Sequence, residues 1–81
     1  MSVKSAVRVL QIFELLSNHP DGLTVKEIAR GLSLPQSSTF NLVVTLFEEG
    51  YLQQDPLKRY KLGAKLIQIG TAAMDSMDIS S

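Results

Sequence analysis

The sequence has no cysteine and a single histidine, His19. Without thiols there can be no disulfide scaffold, no thiolate zinc site and no cysteine nucleophile. Long apolar runs are also missing: the longest are three residues, Leu42-Val43-Val44 and Ala72-Ala73-Met74. A membrane-spanning helix needs about 20 apolar residues and a secretory signal about 7–15, so a soluble cytoplasmic protein with no membrane partner is expected. Neither sign of charge is in excess, with 8 basic and 8 acidic side chains. A chain of 81 residues builds one small core, which excludes an enzyme that closes two domains around a cleft. The apolar fraction of 44% is that of a globular chain rather than a disordered one.

The zero balance hides an asymmetry. Residues 1–65 carry all 8 basic side chains and sum to +2, whereas residues 66–81 hold only Asp75 and Asp78 and sum to −2. A modest +2 neither requires nor excludes a polyanionic partner, so the placement of the cations must decide.

Periodicity divides the chain into short elements. Residues 2–17 read as a helix, with Val3, Ala6, Val7, Leu10, Phe13 and Leu16 at three- and four-residue steps. Val9, Ile12 and Leu15 widen that face, which fits either packing on two sides, as in a dimer, or deep burial. Ser17-Asn18-His19-Pro20-Asp21-Gly22 then forms a tight turn. Thr24-Val25-Lys26-Glu27 matches a capping box and opens a second helix. Val25, Ile28, Ala29 and Leu32 form its inner face, Lys26 and Arg30 point outward, and Gly31 is expected to close it.

Pro35 is expected to open a third helix over residues 35–49. At about 100° per residue, Ser37, Ser38, Asn41, Thr45 and Glu48 gather on one polar edge. Leu42, Leu46, Val43, Phe47, Phe40 and Val44 fill the rest, with Thr39 and Gln36 the only polar residues in that apolar arc. Gly50 suits the position just past the helix end. The period then changes to two. Tyr51-Leu52-Gln53-Gln54 and Arg59-Tyr60-Lys61-Leu62 read as strands joined by a turn at Asp55-Pro56-Leu57-Lys58. A last helix over residues 64–77 carries Leu66, Ile69, Ala73 and Met77 at helical steps. It fits either a linker toward a further domain or a terminal helix closing the core, and residues 78–81 are expected to trail off.

Three helices followed by a β-hairpin predict a mainly α winged helix-turn-helix, comprising a three-helix core plus wing in residues 1–63 and a linker helix in residues 64–81. In that geometry the third helix enters the DNA major groove, N-terminal end toward the bases, and the preceding helix crosses the backbone. Gln36, Ser37, Ser38 and Asn41 are then the base-reading candidates, since amides pair with adenine and hydroxyls serve base or phosphate. Thr24, Lys26, Thr45, Lys58, Arg59 and Lys61 are the backbone candidates. A polar edge on an amphipathic helix is more often just its solvated side. The capping box, the short turn, the Pro-led helix and the basic hairpin in this order favour the DNA reading. Because residues 35–47 carry no charge, attraction must come from elsewhere or from doubling in a homodimer.

The same residues carry a resemblance. Gly22-Leu23-Thr24-Val25-Lys26-Glu27-Ile28-Ala29, Leu34-Pro35-Gln36-Ser37-Ser38, Leu46-Phe47-Glu48-Glu49-Gly50-Tyr51-Leu52 and Arg59-Tyr60-Lys61-Leu62-Gly63, in this order, resemble the N-terminal domain of IclR-type bacterial transcriptional regulators. The resemblance implies a homodimeric, sequence-specific DNA binder, often a repressor, normally followed by a small-molecule-binding C-terminal domain, which is expected to be absent from this chain. It implies groove contacts at Ser37 and Ser38, and places the helix opened by Thr24 near the backbone. The family commonly has a basic residue where this chain has Gln36 and an Arg where it has Asn41. That departure implies a weaker phosphate grip and a different base preference.

The alternative is a winged helix used for dimerisation, such as that of a small-molecule methyltransferase. A stand-alone enzyme has little in its favour. His19 sits in a turn with no thiol nearby, Glu48 and Glu49 diverge on the helix surface, and the glycines are scattered terminators rather than a phosphate loop. No catalytic residue, metal or cofactor is expected.

Overall fold

A computed structural model describes residues 2–77. The element order is α1 (Lys4–Ser17), α2 (Val25–Leu32), α3 (Gln36–Glu48), β1 (Leu52–Gln54), β2 (Tyr60–Leu62) and α4 (Ala64–Ser76). This is the expected mainly α winged helix-turn-helix. The strands pair antiparallel, with Leu52 opposite Leu62 and Gln54 opposite Tyr60. Both are shorter than the sequence suggests, and Arg59 falls in the turn rather than in β2. Residues 78–81, expected to trail off, lie outside the described residues.

The core is built from Ile12, Leu16, Ile28, Val43, Leu52 and Tyr60, so every element except α4 contributes. On α1 the inward face takes only Phe13 and Leu16 from the stripe the periodicity favours. Val3, Val7 and Leu10 are exposed, whereas Ile12 and Leu16 are buried and Phe13 and Leu15 pack beside them. So many apolar residues crowd this helix that spacing alone selects no face. The α1–α2 contact does: a Cβ on Gly31 would lie 3.3 Å from Leu15 Cδ2. Gly31 is therefore a point of close helix approach inside α2, not its terminator. Ser33 ends the helix instead, at φ 55, with Leu34 N–H donating to the Ala29 carbonyl at 2.9 Å and Ser33 N–H to Arg30 at 3.2 Å. That pair of bonds is a Schellman closure.

Pro35 stands one position earlier than expected, as the N-cap of α3 with φ −60 and ψ 139. Thr39 and Val43, both fully buried, mark the inward line of α3. Thr39 Oγ1 donates to the Pro35 carbonyl at 2.8 Å, which satisfies the buried hydroxyl. Phe40, expected within the apolar arc, is instead 52% exposed. Gly50 ends α3 as expected, at φ +89.

Two features hold the wing against the helices. Leu23, just before α2, exchanges two backbone bonds with Tyr60: Leu23 N–H to Tyr60 O at 3.0 Å and Tyr60 N–H to Leu23 O at 2.7 Å. The Phe47 ring meets Tyr60 edge-on at 6.0 Å. Helix α4 has no buried residue, and Ile67, Ile69, Met74 and Met77 are exposed. The described part of α4 therefore does not close the core.

Candidate nucleic-acid interface

The sequence before α2 dictates a helix start, and the structure realises it. Thr24 Oγ1 accepts the Glu27 backbone N–H at 3.2 Å, and Glu27 Oε1 accepts the Thr24 N–H at 2.9 Å. These bonds satisfy two donors that a helix N-terminus leaves open. The Thr24 backbone donor holds the Glu27 carboxyl below its ordinary range. α2 then presents Lys26 and Arg30 to solvent.

On α3, Gln36, Ser37, Asn41 and Thr45 are exposed and Ser38 is half-buried. Two of the hydroxyls are already engaged. Ser38 Oγ donates to the Pro35 carbonyl at 3.2 Å and Thr45 Oγ1 to the Asn41 carbonyl at 2.8 Å. The fold brings Gln36 beside Thr24, Lys26 and Lys58. Together with Val25, Gln54, Leu57 and Tyr60, these four line a shallow cleft of about 340 Å³ between the starts of α2 and α3 and the wing.

The wing turn is organised by one carboxylate. Asp55 Oδ1 accepts the backbone N–H groups of Leu57 and Arg59, both at 2.9 Å, and Oδ2 accepts Arg59 Nε at 3.0 Å. The Arg59 backbone N–H, ahead of the guanidinium, holds the Asp55 carboxyl below its ordinary range. Lys58 N–H closes the turn onto the Asp55 carbonyl at 3.0 Å. Lys58 itself adopts φ 62, the left-handed conformation that the third residue of such a hairpin loop requires. Sequence reasoning found the turn but missed both this conformation and the pairing of Arg59. Among the described residues, Arg59–Asp55 is the one side-chain ion pair.

Lys61 is not brought to this cleft. It alternates with Tyr60 across the strand and lines a separate cleft with Leu16, Ser17, His19, Pro20, Gln53 and Leu62. His19 Nδ1 lies 2.9 Å from the Leu15 carbonyl, an ordinary helix-end contact. Among the described residues, no group of three or more His, Asp or Glu side chains is gathered as a metal site would require.

The profile of the IclR helix-turn-helix domain matches residues 5–56, from the start of α1 into the wing turn. The chain belongs to this family. The IclR-type domain is 33% identical over 78 residues to the HTH-type transcriptional regulator XynR of Escherichia coli, covering 95% of this chain and 31% of that protein. It is 32% identical over 75 residues to the glycerol operon regulatory protein of Streptomyces coelicolor, covering 91% of this chain and 30% of the relative. Its fold superposes on an IclR transcriptional regulator from Alicyclobacillus acidocaldarius with a TM-score of 0.89 and 32% identity, over 96% of this chain and 32% of that one. The IclR-type chain thus spans about a third of the length of these relatives. Those curated relatives are named as regulators, not as enzymes. Among the described residues, no helix is long and apolar enough to cross a membrane.

Proposed function

We propose that this chain is the DNA-binding module of a ligand-responsive transcriptional regulator and reads duplex DNA with sequence preference. The observation that carries the proposal is the cleft that joins the start of α3 to Lys26 and Lys58. It sets the Gln36 amide, at the start of α3, beside Lys26 and Lys58, so that a group able to read a base edge is flanked by groups able to take phosphates. Gln36, Ser37 and Asn41 take the base edges, Asn41 and Gln36 with adenine as the matched partner. Ser38, with its proton committed to Pro35, acts as an acceptor at the groove floor or as a spacer. Lys26 and Lys58 take phosphates, with Thr24 and Thr45 at the flanks. Arg59 fixes the wing turn through Asp55, and Lys61 stands outside this set.

Pairing into a homodimer is part of the proposal. Val3 just before α1, Leu10 on α1, Ile67 and Met74 on α4 and Met77 just past it are each more than half exposed, and exposed apolar side chains of this kind gain from association. A two-fold dimer sets half-sites one helical turn of about 34–36 Å, or a multiple of it, apart. We assign residues 1–63 to the DNA-binding unit and residues 64–81 to a linker, and place the regulator in the cytoplasm. Response to a small-molecule effector would belong to a longer regulator of the relatives' size. The dimerisation-only alternative finds no counterpart among relatives named as regulators.

Gel retardation on duplexes selected from a random library tests the proposal. Two phosphate-binding lysines per protomer, doubled in a dimer, give a slope of log affinity against log salt of roughly −3 to −4. Lys58→Ala should weaken all sequences alike and flatten that slope, whereas Asn41→Ala should relax preference at one base pair by about 1–3 kcal/mol. Absence of salt-sensitive retardation, or indifference to both substitutions, would overturn the assignment.

A further inference from the structure

Beside its polar edge, α3 exposes two aromatic side chains, Phe40 and Phe47; Phe47 packs on Tyr60, which leaves Phe40 unused by the polar reading. Phe40 is 52% exposed, although it sits one residue after the fully buried Thr39. Its direction follows from helix geometry. Thr39 and Val43 point inward, and Ser37 and Asn41 lie on the opposite side. Gln36, Phe40 and Phe47 share the flank between these two directions. That flank faces the wing at both of its ends: Gln36 lines the cleft with Lys58 and Tyr60, and Phe47 packs on the Tyr60 ring. Phe40 stands between them, beside Ser37 and Asn41.

The rest of that edge offers little else to hold a base. Ser38 and Thr45 direct their hydroxyls to backbone carbonyls, and residues 35–47 contain no charge. The unengaged inventory is therefore the Gln36 and Asn41 amides, the Ser37 hydroxyl and an aromatic ring. In the major groove the feature that apolar side chains recognise is the thymine 5-methyl group. We propose that Phe40 is a specificity-determining residue that packs on a thymine methyl next to the base pair read by Asn41. This rests on the DNA-binding reading above and deepens it, by naming the base feature that the apolar part of the edge takes.

The test uses the full 81-residue chain and duplexes selected from a random library, with each thymine replaced singly by deoxyuridine. Removing one methyl from an apolar contact should weaken wild-type binding about fourfold at one position per half-site, and by much less elsewhere. Phe40→Ala should bind the thymine duplex about as weakly as the wild type binds the deoxyuridine duplex, and should no longer distinguish the two. Phe40→Leu keeps an apolar contact and should retain the discrimination. Because the wild-type comparison alters only the DNA, it reports even if Phe40→Ala folds poorly. Wild-type binding that ignores every thymine methyl, or equal methyl sensitivity in wild type and Phe40→Ala, overturns this inference while leaving DNA binding intact. Failure of the wild type to retard any duplex overturns the DNA reading itself.

Discussion

Replacing Gly22 by alanine should cost about a third to a half of the stability of this domain, and the size follows from contacts around one atom. Gly22 has φ +86, where an L side chain costs about 1–2 kcal/mol. A Cβ there would lie 2.9 Å from the Tyr60 carbonyl oxygen and 2.9 Å from Lys61 Cγ. The lysine stem can swing aside. The carbonyl cannot, because it accepts the Leu23 N–H at 3.0 Å. Relief requires the wing to move away from Leu23, which also stretches the reciprocal 2.7 Å bond. At about 0.5–1.5 kcal/mol per hydrogen bond, the combined loss is roughly 2–4 kcal/mol. A domain of this size has about 4–12 kcal/mol in total, and the melting temperature should fall by roughly 10–25 °C. Thermal and urea melts followed by circular dichroism measure it. Gly70→Ala is the internal contrast: Gly70 lies within α4 with nothing within 4 Å of an added Cβ. The same chemical change there should strengthen the helix by up to about 1 kcal/mol. If Gly22→Ala melted within about 2 °C of the wild type, the account of the wing clamp would be wrong.

Other perturbations separate the remaining claims. Ile28→Ala, at a fully buried site, should lose about 2–5 kcal/mol in urea unfolding. Thr39→Val at an equally buried site should stay within about 1 kcal/mol of the wild type, since the Pro35 carbonyl still accepts the Thr39 N–H at 3.1 Å. Acid should destabilise the domain through Glu27 and Asp55. Both carboxyls are held below their ordinary values of 4.5 and 3.8, so their contribution is present above those values and is lost as pH falls through the lower folded-state ones. A Glu27→Gln, Asp55→Asn double variant should show a shallower fall in melting temperature over that acid range. An unchanged acid slope would mean that other groups control it.

Features set by neighbours in sequence were readable in advance. The Thr24–Glu27 box, the Gly50 helix end and the Asp55-Pro56 turn each depend on four or five consecutive residues, and each forms. What depends on contact between distant segments was not readable. The buried face of α1 is chosen by α2 at Gly31, because the apolar residues of α1 are spread over more than one helical stripe. The left-handed position after α2 falls on Ser33 rather than on the nearby glycine, because α2 runs on through Gly31 to Leu32. At the candidate interface, Thr24, Lys26, Gln36 and Lys58 share a cleft that their positions along the chain do not by themselves reveal. The separation of Lys61 from that cleft follows from strand alternation and could have been foreseen. The engagement of Arg59 by Asp55 depends on turn geometry that residue types leave open. The outward position of Phe40 was hidden because the residue falls within the broad apolar arc of α3, only part of which is buried.

The tip of the wing carries a compromise with practical weight for anyone engineering this domain. Lys58 occupies a backbone conformation that glycine or asparagine adopts at lower cost. Selection of variants for heat tolerance alone would therefore tend to drift toward Lys58→Gly or Lys58→Asn. Each such variant would melt later and would have discarded the positive charge at the end of the ribbon. Libraries built on this scaffold should hold that position fixed and seek their gains at Gly70.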